Sequence, residues 1–234
     1  MTAEVVRVVG LNAFYGESHI LHGVEFNVNR GEVVTLLGRN GAGRTTTLKA
    51  LLGLVPVRSG SVMINGCEAI ALPPHRIAHL GVAYCPEERG IYASLSAEEN
   101  LLLPAVVGPG GMSLEEIYGM FPNLKERRDT QGTRLSGGEQ QMLAVARTLR
   151  TGARLLLLDE ISEGLAPVIV QELSRTIREL RQRGYTIVMV EQNFRFAAPL
   201  ADRFYIMERG VVVQSFTSAE LQDKMPLVHQ FLGV

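Results

Sequence analysis

The chain has no tryptophan, only two cysteines among 234 residues, and no apolar run approaching a bilayer-spanning length. A membrane-crossing helix needs roughly 18 or more consecutive apolar residues, so nothing here spans a membrane unaided. The N-terminus, Met-Thr-Ala-Glu-Val-Val-Arg, lacks the basic start and apolar block of a signal peptide, which points to the cytosol. Cys67 and Cys85 have no partners at metal-ligand spacing and read as small buried apolar residues of a reducing compartment. Excess positive charge is also missing. Lysine and arginine total 23 against 24 acidic residues, a net charge of −1 with no long basic run. That argues against a nucleic-acid partner held by phosphate neutralisation. The missing tryptophan excludes nothing.

What is present is an apolar fraction of 46%, enough for the core of one large domain over residues 1–234. Its most informative segment is Gly38-Arg39-Asn40-Gly41-Ala42-Gly43-Arg44-Thr45-Thr46. The spacing is that of the phosphate loop, G-x-x-x-x-G-K-[ST], with Arg44 where lysine is usual. The apolar run Val33–Leu37 precedes it and a helical stretch, Thr45 to Leu54, follows. Glycines let successive amide N–H groups converge on one point, and the helix start adds its positive end. Such a nest suits the β- and γ-phosphates of ATP.

The first 35 or so residues read as a twisted antiparallel sheet with breaks at Gly16, Gly23 and Gly31. Val5–Val9, Val24–Val28 and Ser61–Ile64 are its strand candidates. From Ser96 the pattern turns helical and Gly/Pro-interrupted, which implies an inserted helical subdomain over approximately 90–150. Beyond it, apolar strands at 154–158 and 186–190 alternate with helices at 168–183 and near 195–201. A hairpin turns at Arg209-Gly210. The alternation implies an α/β fold with a mostly parallel core sheet.

Two further segments carry chemistry. Leu155-Leu156-Leu157-Leu158-Asp159-Glu160 is a buried strand delivering carboxylates beside the phosphate loop. Asp159 is placed to hold Mg²⁺ through water, Thr45 to ligate it directly, and Glu160 to polarise the attacking water. Leu135-Ser136-Gly137-Gly138-Glu139-Gln140-Gln141 opens a helix with a second anion nest. One nucleotide does not need two nests, and a dimer resolves this: the second nest closes on the γ-phosphate held by the opposite subunit.

With these motifs in this order, nearly the whole chain resembles the ATP-binding subunits of ABC transporters. The resemblance implies a P-loop NTPase fold with an N-terminal antiparallel β subdomain and an inserted α-helical subdomain. ATP and Mg²⁺ are the implied cofactors. Tyr15 matches the family's adenine-stacking aromatic residue, and Ser136, Gly137, Gly138 and Glu139 match the signature that acts on the partner's ATP. A closer resemblance is to subunits serving branched-chain amino acid uptake. Pro86-Glu87-Glu88-Arg89 resembles their loop in which Glu replaces the Mg²⁺-sensing Gln, which assigns Glu87 to the metal. Ser162-Glu163-Gly164-Leu165-Ala166-Pro167 resembles the segment after their catalytic Glu, and Val190-Glu191-Gln192-Asn193 their switch, with Gln192 in place of His. Implied partners are a paralogous or identical ATPase subunit, two transmembrane permease subunits and, indirectly, an external substrate-binding protein. The implied location is the cytoplasmic face of the plasma membrane.

Besides Gln192, which the closer resemblance makes ordinary, two positions depart from the pattern. Arginine at 44 keeps the charge of lysine but is planar, bulkier and forked. We expect nucleotide binding to survive while this chain's own hydrolysis slows. Ile161 stands where proline is usual after the catalytic Glu, which relaxes the following loop. Ile91, Tyr92, Leu95, Leu101 to Leu103 and Phe121-Pro122 offer a groove for a permease helix, or simply pack the subdomain. Alternatives to the importer ATPase are a weakly hydrolytic subunit completing its partner's site, a urea or amide importer, a lipopolysaccharide-type exporter, and a non-transport ABC protein.

Overall fold

A computed structural model describes residues 3–233. Along the chain come β1 (Glu4–Tyr15), β2 (Ser18–Asn29), β3 (Val33–Leu37), α1 (Arg44–Leu51), β4 (Val57–Ile64), β5 (Cys67–Glu68), α2 (Pro74–Ala78) and β6 (Val82–Cys85). A helical stretch follows: α3 (Ala97–Leu102), α4 (Leu114–Met120), α5 (Pro122–Glu126) and α6 (Gly137–Arg150). The chain then runs through β7 (Leu155–Asp159), α7 (Pro167–Gln182), β8 (Thr186–Glu191), α8 (Phe194–Ala197), β9 (Arg203–Glu208), β10 (Val211–Thr217) and α9 (Leu221–Leu232).

The strands form two sheets. An antiparallel sheet has the order β2-β1-β4-β5, and a six-stranded sheet has the order β10-β9-β3-β8-β7-β6. In the larger sheet every neighbouring pair is parallel except β9–β10. The hairpin β1–β2 is longer than the sequence pattern suggests, because Gly23 does not break it. Gly23, at φ 72°, lies where the pairing steps from Ala13–Leu21 to Leu11–Val24, which leaves one extra residue in β2. A bulge of this kind needs a left-handed residue and lets the ladder continue.

The core strands are apolar on both sides, and their alternate residues enter two different cores. Val34, Leu36, Leu155, Leu157, Val188 and Val190 face the antiparallel sheet and α1. Val33, Leu156, Leu158, Ile187 and Met189 face α6, α7 and the helical stretch. This is the period-two logic of a sheet covered on both faces. Three helices of the inserted stretch begin with the same reciprocal cap, Ser96–Glu99, Ser113–Glu116 and Ser136–Glu139.

Cys85 is buried but Cys67 is exposed, a correction to the sequence reading. Its strand β5 is two residues long and sits at the sheet edge, so no layer covers it. The helix expected near 195–201 is shorter, Phe194–Ala197, and is capped by Asn193. No helix among the described residues is long and apolar enough to cross a membrane.

Candidate active site

β3, buried along its whole length, delivers the chain to Gly38, and the loop then turns into α1. Gly43 caps that helix with φ 98°, a conformation that other residues rarely adopt. Packing fixes the loop from below: the Gly210 amide donates to the Ala42 carbonyl at 2.9 Å, and a side chain at Gly38 would collide with the Met207 carbonyl. Residues Asn40 to Thr46 line a cavity of about 280 Å³ together with Glu87, Glu160 and Glu163.

Asp159, at the end of β7, is fully buried. Thr45 Oγ1 donates to its Oδ1 at 3.0 Å, and the Tyr84 hydroxyl donates to its Oδ2 at 2.8 Å. Burial pushes the Asp159 carboxyl above the usual range, opposed by those two bonds. Glu160 has a left-handed backbone, φ 48°, and its amide donates to the Val190 carbonyl at 2.9 Å. Burial raises its carboxyl to about 6, with Arg44 pulling the other way. Glu87 is exposed on the cavity rim, its carboxyl raised by partial burial and by Glu163 and Asp159. So many carboxylates around a phosphate nest call for a cation. Thr45 Oγ1 and Asp159 supply hard oxygen ligands side by side, and this donor set fits Mg²⁺.

Arg44 lies inside the site, 4% exposed. Its Nη2 pairs with Glu160 Oε1 at 2.6 Å and also reaches Asn40 Oδ1 at 3.2 Å. Thr46 is half-buried, while Arg39, Asn40 and Gly41 are exposed at the loop tip. Tyr15 is 42% exposed at the β1–β2 turn, its ring open to a stacking partner. Gln192 is exposed in an adjoining cleft of about 820 Å³, which shares Glu160 and Glu163 with the phosphate cavity and also takes in Ser162 and Leu165.

Ser136 and Gly137 are exposed and Gly138 is half-buried at the start of α6, and none of them lines the phosphate cavity. The Ser136 oxygen accepts from the Glu139 amide at 3.2 Å, which leaves its hydroxyl hydrogen free to donate. Glu139 turns back onto its own helix start: its carboxylate accepts from the Ser136 amide at 2.7 Å and pairs with Arg127 at 3.4 Å.

Three site residues escaped the sequence reading as individuals: Tyr84, Glu163 and Glu191. Glu191 is buried and accepts from the Ser162 amide at 3.2 Å and hydroxyl at 2.8 Å. That bond pair holds the loop after Glu160, and Ile161 itself is core. Of the proposed groove residues, Leu101 and Phe121 are core, whereas Tyr92, Leu102 and Leu103 are exposed. Arg147, which lies over the Tyr92 ring at 5.3 Å, also lines a cleft of about 370 Å³ with Tyr84, Pro86, Arg89, Pro104 and Val107.

A phosphate-loop α/β sheet with a carboxylate pair at the end of the neighbouring strand, plus an exposed Ser-Gly-Gly helix start, defines a nucleotide-binding cassette. The model of the family described as "ABC transporter" matches residues 21–163, and the chain belongs to that family. It is an ABC-type ATPase. It is 40% identical to the high-affinity branched-chain amino acid transport ATP-binding protein BraG of Pseudomonas aeruginosa, over 95% of this chain and 97% of that one. The probable branched-chain amino acid transport ATP-binding protein LivF of Archaeoglobus fulgidus is 37% identical over 98% and 99%. The lipopolysaccharide export system ATP-binding protein LptB of Acidithiobacillus ferridurans is 35% identical over 99% and 98%. In fold, a nucleotide-free ATP-binding cassette from an ABC transporter superposes with TM-score 0.85 at 21% identity, covering 99% of both chains.

Proposed function

We propose that this chain is the ATPase subunit of an importer for branched-chain amino acids, one nucleotide-binding domain whose inserted helical part spans about 90–150. It acts as a dimer with a paralogous or identical subunit, at the cytoplasmic face of two permease subunits fed by an external binding protein. ATP lies with its base on Tyr15 and its phosphates in the loop from Gly38 to Thr46. Thr45, Asp159 and Glu87 hold Mg²⁺, which neutralises phosphate charge. Glu160 takes a proton from the attacking water, and Gln192 orients that water by hydrogen bonding. Arg44 slows turnover at this chain's own nest.

One observation carries the dimer reading. The phosphate cavity and the exposed start of α6 are both open to solvent and share no lining residue. Each is half of a site that a neighbouring subunit completes. Near-full-length identity of 40% to a branched-chain amino acid subunit supports the substrate. The LptB likeness, at 35%, favours an exporter as the second reading.

Tyr15→Ala tests the base site. Base–aromatic stacking is worth about 1–3 kcal/mol, so ATP affinity falls by about 5- to 150-fold while the melting temperature holds. An unchanged Kd removes Tyr15 from the site. Leucine uptake into vesicles carrying the chain with its permeases tests the transport reading; ATP-driven movement of lipopolysaccharide instead of leucine replaces it with the exporter.

A further inference from the structure

Arg44 has two terminal nitrogens in different circumstances. Nη2 gives one hydrogen to Glu160 and the other to Asn40, and both bonds are made inside the protein. Nη1 is buried and has no hydrogen-bond partner among the described residues. The residue lines the phosphate cavity beside Gly43 and Thr45. A buried guanidinium nitrogen with both hydrogens unused is costly, and an anionic oxygen in the cavity removes that cost. The planar fork matters here, because it serves two acceptors at once in fixed directions, where an ammonium swings between them.

Glu160 is equally constrained. Its backbone is pinned in the left-handed region by the bond to Val190, and one carboxylate oxygen is already taken by Arg44. In hydrolysis a water oxygen bonds to the terminal phosphorus while the bridging P–O bond breaks to release ADP. The water's proton must pass to a free carboxylate. The Glu160 oxygen that Arg44 holds at 2.6 Å is engaged by the guanidinium and is not free to take that proton.

We propose that Arg44 straps the two together, gripping the terminal phosphate through Nη1 while keeping Glu160 through Nη2. The site thereby holds a nucleoside triphosphate as a ligand rather than consuming it as fuel. This rests on the ATP-binding reading above and assigns that site its regulation: a long-lived, triphosphate-loaded half that leaves turnover to the partner's phosphate loop.

The test uses the full chain with Mg²⁺ and labelled ATP, rapid desalting, and chromatography of the nucleotide that stays bound. The native chain retains intact ATP. Arg44→Lys retains ADP instead and turns over at least about tenfold faster, and Glu160→Gln costs at least about tenfold more turnover in the Arg44→Lys chain than in the native one. Equal turnover of the native and Arg44→Lys chains, or an equal cost of Glu160→Gln in both, overturns the strap. Should the lysine variant melt early, the native chain alone decides: retained ADP in place of ATP overturns the proposal. Retention by the lysine chain only also removes the strap but leaves the ATP site standing. No retention by any chain overturns the ATP reading itself.

Discussion

Glu191 is a carboxyl with 1% of its surface exposed, two hydrogen bonds from one serine, and Glu160 and Arg44 as its charged neighbours. Burial pushes it up to about 8, against the opposing pull of Ser162. An unfolded glutamate titrates near ~4.3. Between those values the folded chain keeps a proton that the unfolded chain has released, so this group makes stability fall as pH rises through that window. Glu191→Gln keeps an acceptor for Ser162 and removes the titration. Calorimetry from ~pH 5 to ~pH 8 should show the native melting temperature declining and the Gln variant declining less. Parallel slopes would show that Glu191 is ionised throughout. The sequence carries Glu191 only as one letter beside Gln192, because burial of a carboxyl depends on what packs over it. Tyr84 was hidden for the same reason: its bond to Asp159 crosses from β6 to β7, 75 positions apart.

At the scale of elements, the loop after β6 is held by bonds rather than by regular structure. Arg89 donates to Gln141 at 3.1 Å and to Gln140 at 3.3 Å, both on the first turns of α6. Asn100, fully buried on α3, accepts from the Tyr92 amide at 2.9 Å and donates to the carbonyls of Tyr92, Leu95 and Ser96. These bonds therefore tie loop and helices into one piece that links the rim residue Glu87 to the start of α6. Asn100→Ala leaves the Tyr92 amide without its partner, at about 1–3 kcal/mol. Urea unfolding measures that loss, and limited proteolysis should cut first within 86–95; cleavage elsewhere would place the clasp's importance outside this loop. Strand and helix types were legible from periodicity, as Pro167–Gln182 and the hairpin at Arg209-Gly210 illustrate. Extent was not, since a glycine that ends a strand and one that bulges it have the same letter.

Across the whole molecule, the motifs were legible because each is a local string, while their relations were not. Asn40 to Thr46 and Glu160 do line one cavity, with Asp159 bonded to Thr45 at 3.0 Å, but the bond from Arg44 to Glu160 spans 116 positions and no local pattern encodes it. The start of α6 stands apart from that cavity, and its serine has two separable duties. Its oxygen caps the helix through the Glu139 amide, and its free hydroxyl hydrogen is available to an anion on a neighbouring subunit. Two substitutions divide these duties. Ser136→Ala removes the cap and the donor together, costing about 1 kcal/mol of stability as well as the contact. Ser136→Asp keeps a good N-cap, so folding stability stays within about 0.5 kcal/mol of native, yet it sets a carboxylate where the proposed dimer site would receive a terminal phosphate. Like charges in a desolvated interface repel strongly. Sedimentation with Mg²⁺ and ATP should therefore show the Ser136→Asp chain folded and monomeric where the native chain, alone or with its paralogous subunit, dimerises. If Ser136→Asp dimerises with ATP as the native chain does, the exposed helix start is a cap and nothing more, and the two-subunit nucleotide site must be built elsewhere.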